Sequence, residues 1–245
     1  MKTLTAIPVY NEARYLDAVL AEVRKFSSEI LVVNDGSTDE TPSLLARHRD
    51  LHLVVHRQNR GYGAAIRSAF AFAQAHHYDV LVTMDCDGQH EPARISVLLE
   101  ALGADVDLVS GSRYLRTFRH DSAPPPDRQR INNLVTGELN RRLGLQLTDA
   151  FCGFKAYRVR RLAQLELHED GWGMPLELWV QAAHAGWSIR EVGVPLLYLD
   201  PSRAFGGVLN DAEERLRYYR GIIDRESARL SASHASTSKA SEACY

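Results

Sequence analysis

The sequence predicts an α/β fold in which a mostly parallel central sheet is flanked by helices. Three observations lead there. Short β-branched runs alternate with amphipathic stretches, and those runs end in polar, turn-forming residues. The 245 residues are also 45% hydrophobic and 24% charged, enough for one substantial core. Chains below roughly 250–300 residues still grow a single core, so the second half need not be an independent unit.

The expected strands are Leu4 to Val9, Glu29 to Asn34, Leu51 to His56, Val80 to Asp85 and Leu108 to Ser112. Helical character separates them, the mark of successive βα units. Between Ala13 and Lys25, Leu16, Val19, Leu20 and Val23 recur at three- and four-residue steps and form one apolar face. Ser37 to Pro42 supplies capping residues and a proline suited to a first turn, so a helix is expected from Pro42 to Arg49. After Ser112 the pattern changes. Pro124-Pro125-Pro126 continues neither a helix nor a central strand, so Ser122 to Asp127 reads as a loop and a mobile flap.

Arg128 to Leu143 then reads as an amphipathic helix, Leu176 to Ala185 as another, and Ile189 to Val194 as a strand. Val208, Leu209, Ala212, Leu216, Tyr219, Ile222 and Ile223 again follow helical spacing, which suits a core-packing or partner-binding helix better than a membrane-surface one. The Ser/Ala-rich end from Ser231 is expected to be disordered. The chain thus reads as one domain over residues 1–230, with halves 1–112 and 113–230, followed by a tail over 231–245.

Composition excludes several classes. The 29 Lys+Arg against 31 Asp+Glu give a formal net charge of -2, so no global basic field recruits nucleic acid and an anionic ligand must be held locally. Cys86, Cys152 and Cys244 are odd in number and lack CxxC spacing, which argues against a disulfide framework or a cysteine zinc site and fits a reducing cytoplasm. Pro8 arrives too early for a secretory apolar region, and no apolar run approaches the roughly 18 residues of a membrane span. A chain not integral to a membrane is expected, with contact at a membrane surface left open.

The strongest chemical signal is Val82-Thr83-Met84-Asp85-Cys86-Asp87-Gly88-Gln89-His90-Glu91-Pro92. Residues two apart on a strand share a side, so Asp85 and Asp87 at a strand end can present both carboxylates to one point. A hard divalent cation, Mg2+ or Mn2+, takes such oxygen ligands, and a diphosphate can complete its shell. Gly88 permits a turn that returns the Gln89 carbonyl to the same ion. A bare Asp-x-Asp is as often turn and cap chemistry. The longer run is more specific, because open parallel sheets bind ligands beyond the carboxyl ends of their strands.

Two more strand ends carry weaker signals. In Ile7-Pro8-Val9-Tyr10-Asn11-Glu12 the proline sits where its missing donor is harmless, and Tyr10, Asn11 and Glu12 can meet a base and ribose. In Val32 to Asp39, Asp35 is an acceptor suited to a nucleobase N–H. Each alone reads equally well as a capped turn.

Together the three strand ends resemble the family 2 glycosyltransferases of the GT-A fold typified by dolichyl-phosphate mannose synthase, over roughly Leu4 to Gly207. The resemblance implies Pro8, Tyr10, Asn11, Glu12, Asp35, Asp85 and Cys86 around the nucleotide, and Asp85, Asp87 and Gln89 on the metal. Asn59 to Ile66, Gly111-Ser112-Arg113-Tyr114 and Thr148 to Tyr157 are similar to further family elements. Gly61-Tyr62-Gly63 lacks the third glycine of a dinucleotide fingerprint, so tight packing at a helix start is the better reading. Cys152 stands where Ser is usual and Lys155 where Arg is usual; lysine keeps the charge and loses the planar fork.

Between Arg113 and Arg142 lie seven arginines against three acids. In the family, arginines of this segment hold the phosphate of a lipid acceptor. That points to Arg113 and Arg128, with Arg130 as an alternative to the second and Lys155 beside them. Arg203 resembles the arginine of a family Arg-x-x-Gly stretch and is a candidate for diphosphate stabilisation.

The implied activity is inverting, metal-dependent transfer of a hexose from a UDP- or GDP-sugar to a polyprenyl phosphate, with Asp87, Arg113 and Arg203 at the reacting centre. An anionic acceptor oxygen needs no strong base. Such an enzyme would work in the cytoplasm, reaching the inner membrane face by peripheral contact or through a membrane partner subunit. A saccharide or other soluble hydroxyl acceptor is the alternative, with Asp149 or Glu177 as base. A non-catalytic nucleotide-sugar-binding protein is a third reading, against which intact metal ligands count. A sugar nucleotidylyltransferase would need a Gly-rich loop where Pro8 to Glu12 stands.

Overall fold

Burial of the alternating apolar runs produces a seven-stranded sheet covered by helices on both faces. The computed structural model describes residues 1–199 and 205–242, with side chains as far as Ala232. The strands are β1 (Thr3–Val9), β2 (Ile30–Asn34), β3 (His52–Val55), β4 (Val80–Thr83), β5 (Leu108–Ser112), β6 (Lys155–Arg158) and β7 (Ile189–Gly193). The helices are α1 (Leu16–Val23), α2 (Thr41–Leu45), α3 (Tyr62–Ala75), α4 (Arg94–Leu102), α5 (Pro126–Leu143), α6 (Val159–Leu162), α7 (Met174–His184) and α8 (Ala212–Glu242), with a 3-10 turn at Gly207–Asn210.

The strand order is β3-β2-β1-β4-β6-β5-β7. β1 to β4 run parallel and β7 joins β5 in parallel, while β6 is antiparallel to both of its neighbours. Leu4, Ala6, Leu31 and Val33 face a cluster formed with α3, α5, α7 and α8. Ile7, Val9, Ile30 and Val32 face the opposite cluster, built on α1, α2 and α4. Two covered faces explain why β2 is buried at every position and reads as a continuous apolar run.

The expected βα alternation is present, with shifted ends. β4 stops at Thr83, so Asp85 lies beyond the ladder rather than in a strand. α2 ends at Leu45, short of Arg49. β6 was not expected; four residues framed by Lys and Arg carry no period of their own, and only pairing with β4 and β5 makes them a strand. Prolines that break a helix interior suit its first turn, and α5 accordingly begins at Pro126. The segment before it is not a loose flap: Ser122 N–H donates to Leu196 O at 2.7 Å, and Leu196 N–H donates to Asp121 Oδ1 at 2.8 Å.

α8 is a core helix. Leu216, Tyr219, Ile222 and Ile223 are buried, whereas Val208 is exposed in the preceding turn. The stretch from Ser231, expected to be unstructured, continues this helix to Glu242, since extending a formed helix is far easier than nucleating one. Residues 243–245 lie outside the described residues. No described helix is long and apolar enough to cross a membrane.

Candidate active site

A cavity of about 650 Å³ opens where the parallel strands end, within the size range of small-molecule sites. The loop after β1 contributes Pro8, Tyr10, Asn11 and Glu12, the loop after β2 contributes Asp35, and the loop after β4 contributes Asp85, Cys86, Asp87 and Gln89. Arg113 after β5 and Arg128 on α5 complete the predicted residues gathered there. Pro8 lies within β1, past Ala6, the last residue that pairs with β4, so its missing N–H breaks no bond on that side.

Asn11 ties two of these loops together. Its φ of 57° is a conformation that Asn tolerates better than most residues. Its N–H donates to Ser37 Oγ at 3.0 Å, and its Oδ1 accepts from Thr38 N–H at 2.8 Å. Asp35, expected to meet the base, lines the cavity and also has a structural job. It is buried and accepts from Arg60 N–H at 2.9 Å, Gly61 N–H at 2.8 Å and His56 Nδ1 at 2.6 Å. Three donors from the protein therefore already engage this carboxylate, which holds the turn that opens α3.

Loop geometry rather than a strand edge orients the aspartate pair. Gly88 takes a φ of 74°, and Gln89 N–H turns back onto Asp87 Oδ1 at 3.0 Å. Asp85 N–H donates to His90 Nδ1 at 3.0 Å, and the His90 ring stacks on Phe154. Behind Asp85 lies Gly153. A Cβ there would fall 2.7 and 2.9 Å from the two carboxylate oxygens, so a larger residue would displace Asp85. Burial pushes the Asp85 carboxyl above its usual range and the Asp87 charge adds to this, with His90, Lys155 and Arg113 opposing.

That imbalance is the test of a metal here. A carboxylate whose ionisation is disfavoured by burial and by a neighbouring negative charge is relieved by a hard divalent cation, so Asp85 with the adjacent Asp87 fits one. Among the described residues no group of three or more His, Cys, Asp or Glu side chains could hold an ion, so the remaining positions would fall to a ligand's oxygens and water.

Across the cavity Arg113 is locked in place. Its Nε and Nη2 donate to Asp149 Oδ2 and Oδ1 at 2.7 and 2.9 Å, and Asp149 is fully buried. Burial alone would lower the arginine's pKa, but the Asp149 charge overrides it and keeps the cation. Neither acid expected as a base is placed for that role. Asp149 is paired and held below the usual carboxylate range by Arg113 against the effect of burial, and Glu177 is buried, accepting from His168 and Glu169 N–H groups.

Arg130 points away from the cavity and pairs with Glu213 at 2.5 Å; two residues along a helix turn a side chain by roughly 200° from Arg128. Lys155 is buried beneath the site, donating to Cys152 O and lying 5.2 Å from the Trp179 ring centre, so it does not meet a ligand phosphate. Arg203 lies outside the described residues.

The cavity also contains residues that the motifs did not indicate. Tyr62 stacks on Trp172 with ring centres 5.3 Å apart, and Trp172 Nε1–H donates to Phe205 O at 3.1 Å. The guanidiniums of Arg128 and Arg215 lie over the Phe205 ring at 4.9 and 4.5 Å. Arg215 is buried and anchored to Asp127 at 2.6 Å. In the sequence Tyr62 lay in the Asn59 to Ile66 stretch read only for its glycines, and the others were helix-face or loop residues with no spacing to mark them. Gly61 and Gly63, read as packing glycines, do pack: a Cβ on either would collide with the Asp170 or Glu169 carbonyl.

The chain is similar to known proteins in both sequence and fold. Over 226 residues the chain is 35% identical to an undecaprenyl-phosphate mannosyltransferase of Micrococcus luteus, covering 86% of this chain and 91% of that one. It is 32% identical over 241 residues to a polyprenol monophosphomannose synthase of Mycolicibacterium smegmatis, covering 91% and 89%. Its fold matches a crystal structure of glucosyl-3-phosphoglycerate synthase from Mycobacterium tuberculosis, in complex with Mn2+, UDP and phosphoglyceric acid. That match has a TM-score of 0.69 at 19% identity and covers 92% of this chain and 78% of that one. The sequence profile of glycosyl transferase family 2 matches residues 5–165, and the chain belongs to that family, on a GT-A fold.

Proposed function

We propose that this chain is an inverting hexosyltransferase that passes a sugar from a nucleotide diphosphate sugar to a polyprenyl phosphate. One observation carries the reading: a single cavity is lined by Asp85 and Asp87 together with Arg113, Arg128 and Arg215, and Arg113 is preset by Asp149. The acids that could have served a hydroxyl acceptor as a base, Asp149 and Glu177, are engaged elsewhere, which favours an acceptor that is already anionic. The names of the Micrococcus and Mycolicibacterium relatives support a polyprenyl phosphate.

In this mechanism Asp85, Asp87 and the Gln89 carbonyl would hold Mg2+ or Mn2+, which when bound would supply positive charge to offset the negative charge developing on the departing diphosphate. Pro8, Tyr10, Asn11, Glu12 and Cys86 border the nucleotide, with Asp35 holding the turn behind it. Arg113 and Arg128 receive the acceptor phosphate. Because Asp149 fixes the Arg113 fork beforehand, little reorganisation remains when charge develops. Orientation of the acceptor oxygen behind the anomeric carbon then supplies much of the rate, and a single displacement inverts that centre. The enzyme would work at the cytoplasmic membrane face through peripheral contact, since its acceptor carries a lipid tail.

The test is nucleoside diphosphate release from UDP- and GDP-hexoses with Mg2+ or Mn2+, using a short polyprenyl phosphate or a saccharide as acceptor. Turnover with the lipid phosphate and an inverted glycosyl phosphate product are expected. Turnover with the saccharide alone, or with neither acceptor, would overturn the proposal.

A further inference from the structure

The turn that opens α3 brings the Tyr62 side chain to the aspartate end of the cavity. A methyl group on Gly153 Cα would lie 2.7 and 2.9 Å from the Asp85 oxygens and 2.8 Å from the Tyr62 hydroxyl. The phenol and the carboxylate therefore converge over one small space, on the wall of one cavity.

Its position is fixed from three sides. The ring stacks on Trp172 at an interplanar angle of 15°. The Asp35 carboxylate grips the backbone of Arg60 and Gly61 just before it. Gly61 and Gly63 press the same turn against the carbonyls of Asp170 and Glu169. A hydroxyl held this way cannot follow a ligand; a ligand must come to it. Beside a cation-binding carboxylate, the group that brings oxygen acceptors is a phosphate. A phosphate accepts a charge-assisted hydrogen bond, stronger than one to a neutral acceptor.

We infer that Tyr62 is a substrate-contacting residue whose O–H donates to the sugar-bearing phosphate of the donor, next to Asp85. The inference rests on the proposed function, which assigns this end of the cavity to a nucleotide diphosphate sugar. The contact tightens as charge gathers on the departing phosphate, so it acts on turnover as well as on binding.

Tyr62→Phe keeps the Trp172 stack and removes only the hydroxyl. Binding of UDP, GDP, UMP and GMP in the presence of Mn2+ is measured calorimetrically for both proteins, alongside kcat and KM for the donor. The expected result is about ten- to hundredfold weaker diphosphate binding. Monophosphate binding and melting temperature should be unchanged, and kcat should fall. Equal diphosphate affinity and kcat in the two proteins would overturn the assignment, as would equal weakening of mono- and diphosphates, which marks a structural role. If the parent protein binds no nucleoside diphosphate, the proposed function itself has failed, and this inference with it.

Discussion

Gly153→Ala tests whether the Asp85 site depends on the bare backbone behind it. Gly153 does not take a positive φ, so alanine introduces no backbone strain and the added methyl is the whole perturbation. That methyl would sit 2.7 and 2.9 Å from the Asp85 oxygens, where carbon and oxygen settle at about 3.3–3.6 Å, so a displacement of roughly 0.5 Å follows. The backbone is poorly placed to yield, because Thr83 Oγ1 donates to Gly153 O at 2.8 Å. Asp85 must move, and with it the ion site and the Tyr62 hydroxyl. Misplacement by about 1 Å lowers rates on the order of a hundredfold, so a ten- to hundredfold loss in kcat/KM is expected. The melting temperature should shift by only a few degrees, the equivalent of about 1 kcal/mol. Initial rates of diphosphate release across a Mn2+ titration, with a thermal melt of the same preparation, decide the matter. A kcat/KM within twofold of the parent protein and an unchanged Mn2+ dependence would refute the reasoning.

Other perturbations separate the roles of the remaining residues. Asp87→Ala should abolish metal-dependent turnover in a protein that still melts cooperatively; retained turnover would remove Asp87 from the metal site. Arg113→Ala leaves the buried Asp149 carboxylate unpaired and should destabilise the fold by roughly 3–5 kcal/mol in denaturant titration, in addition to ending turnover. Arg130→Ala should leave the KM for the lipid phosphate unchanged while Arg128→Ala raises it, and the reverse would place the wrong arginine in the cavity. The carboxyl of Asp85 is raised by burial, so the stability it contributes is present below its unfolded pKa and is lost as pH rises through its folded pKa. Asp85→Asn should therefore raise the melting temperature of the metal-free protein at neutral pH and erase the increase that Mn2+ causes. For the parent protein, protons compete with the ion, and Mn2+ affinity should fall as pH drops through that raised pKa. A pH-independent affinity would contradict this.

The alternation of apolar runs with amphipathic stretches was enough to place six of the seven strands, because burial on two faces writes itself into local composition. The three loop motifs were legible for a similar reason. Turn chemistry is local, and Gly88, Asn11 and Asp35 each show it.

What no local pattern could supply is adjacency. β6 enters the sheet antiparallel between β4 and β5, so the loop leading into β6 arrives where β4 ends, opposite Thr83. That single reversal brings Gly153 against Asp85, and the same loop carries Asp149 to Arg113 and puts Lys155 beneath the site. It also explains why Asp35, legible as an acceptor, could not be seen to have its donors already among residues 56 to 61. The chain's residues determined which groups could bind metal and phosphate. Strand order alone decided which of them meet, because the contacts that build the site join segments whose separation in sequence carries no record of their distance in space.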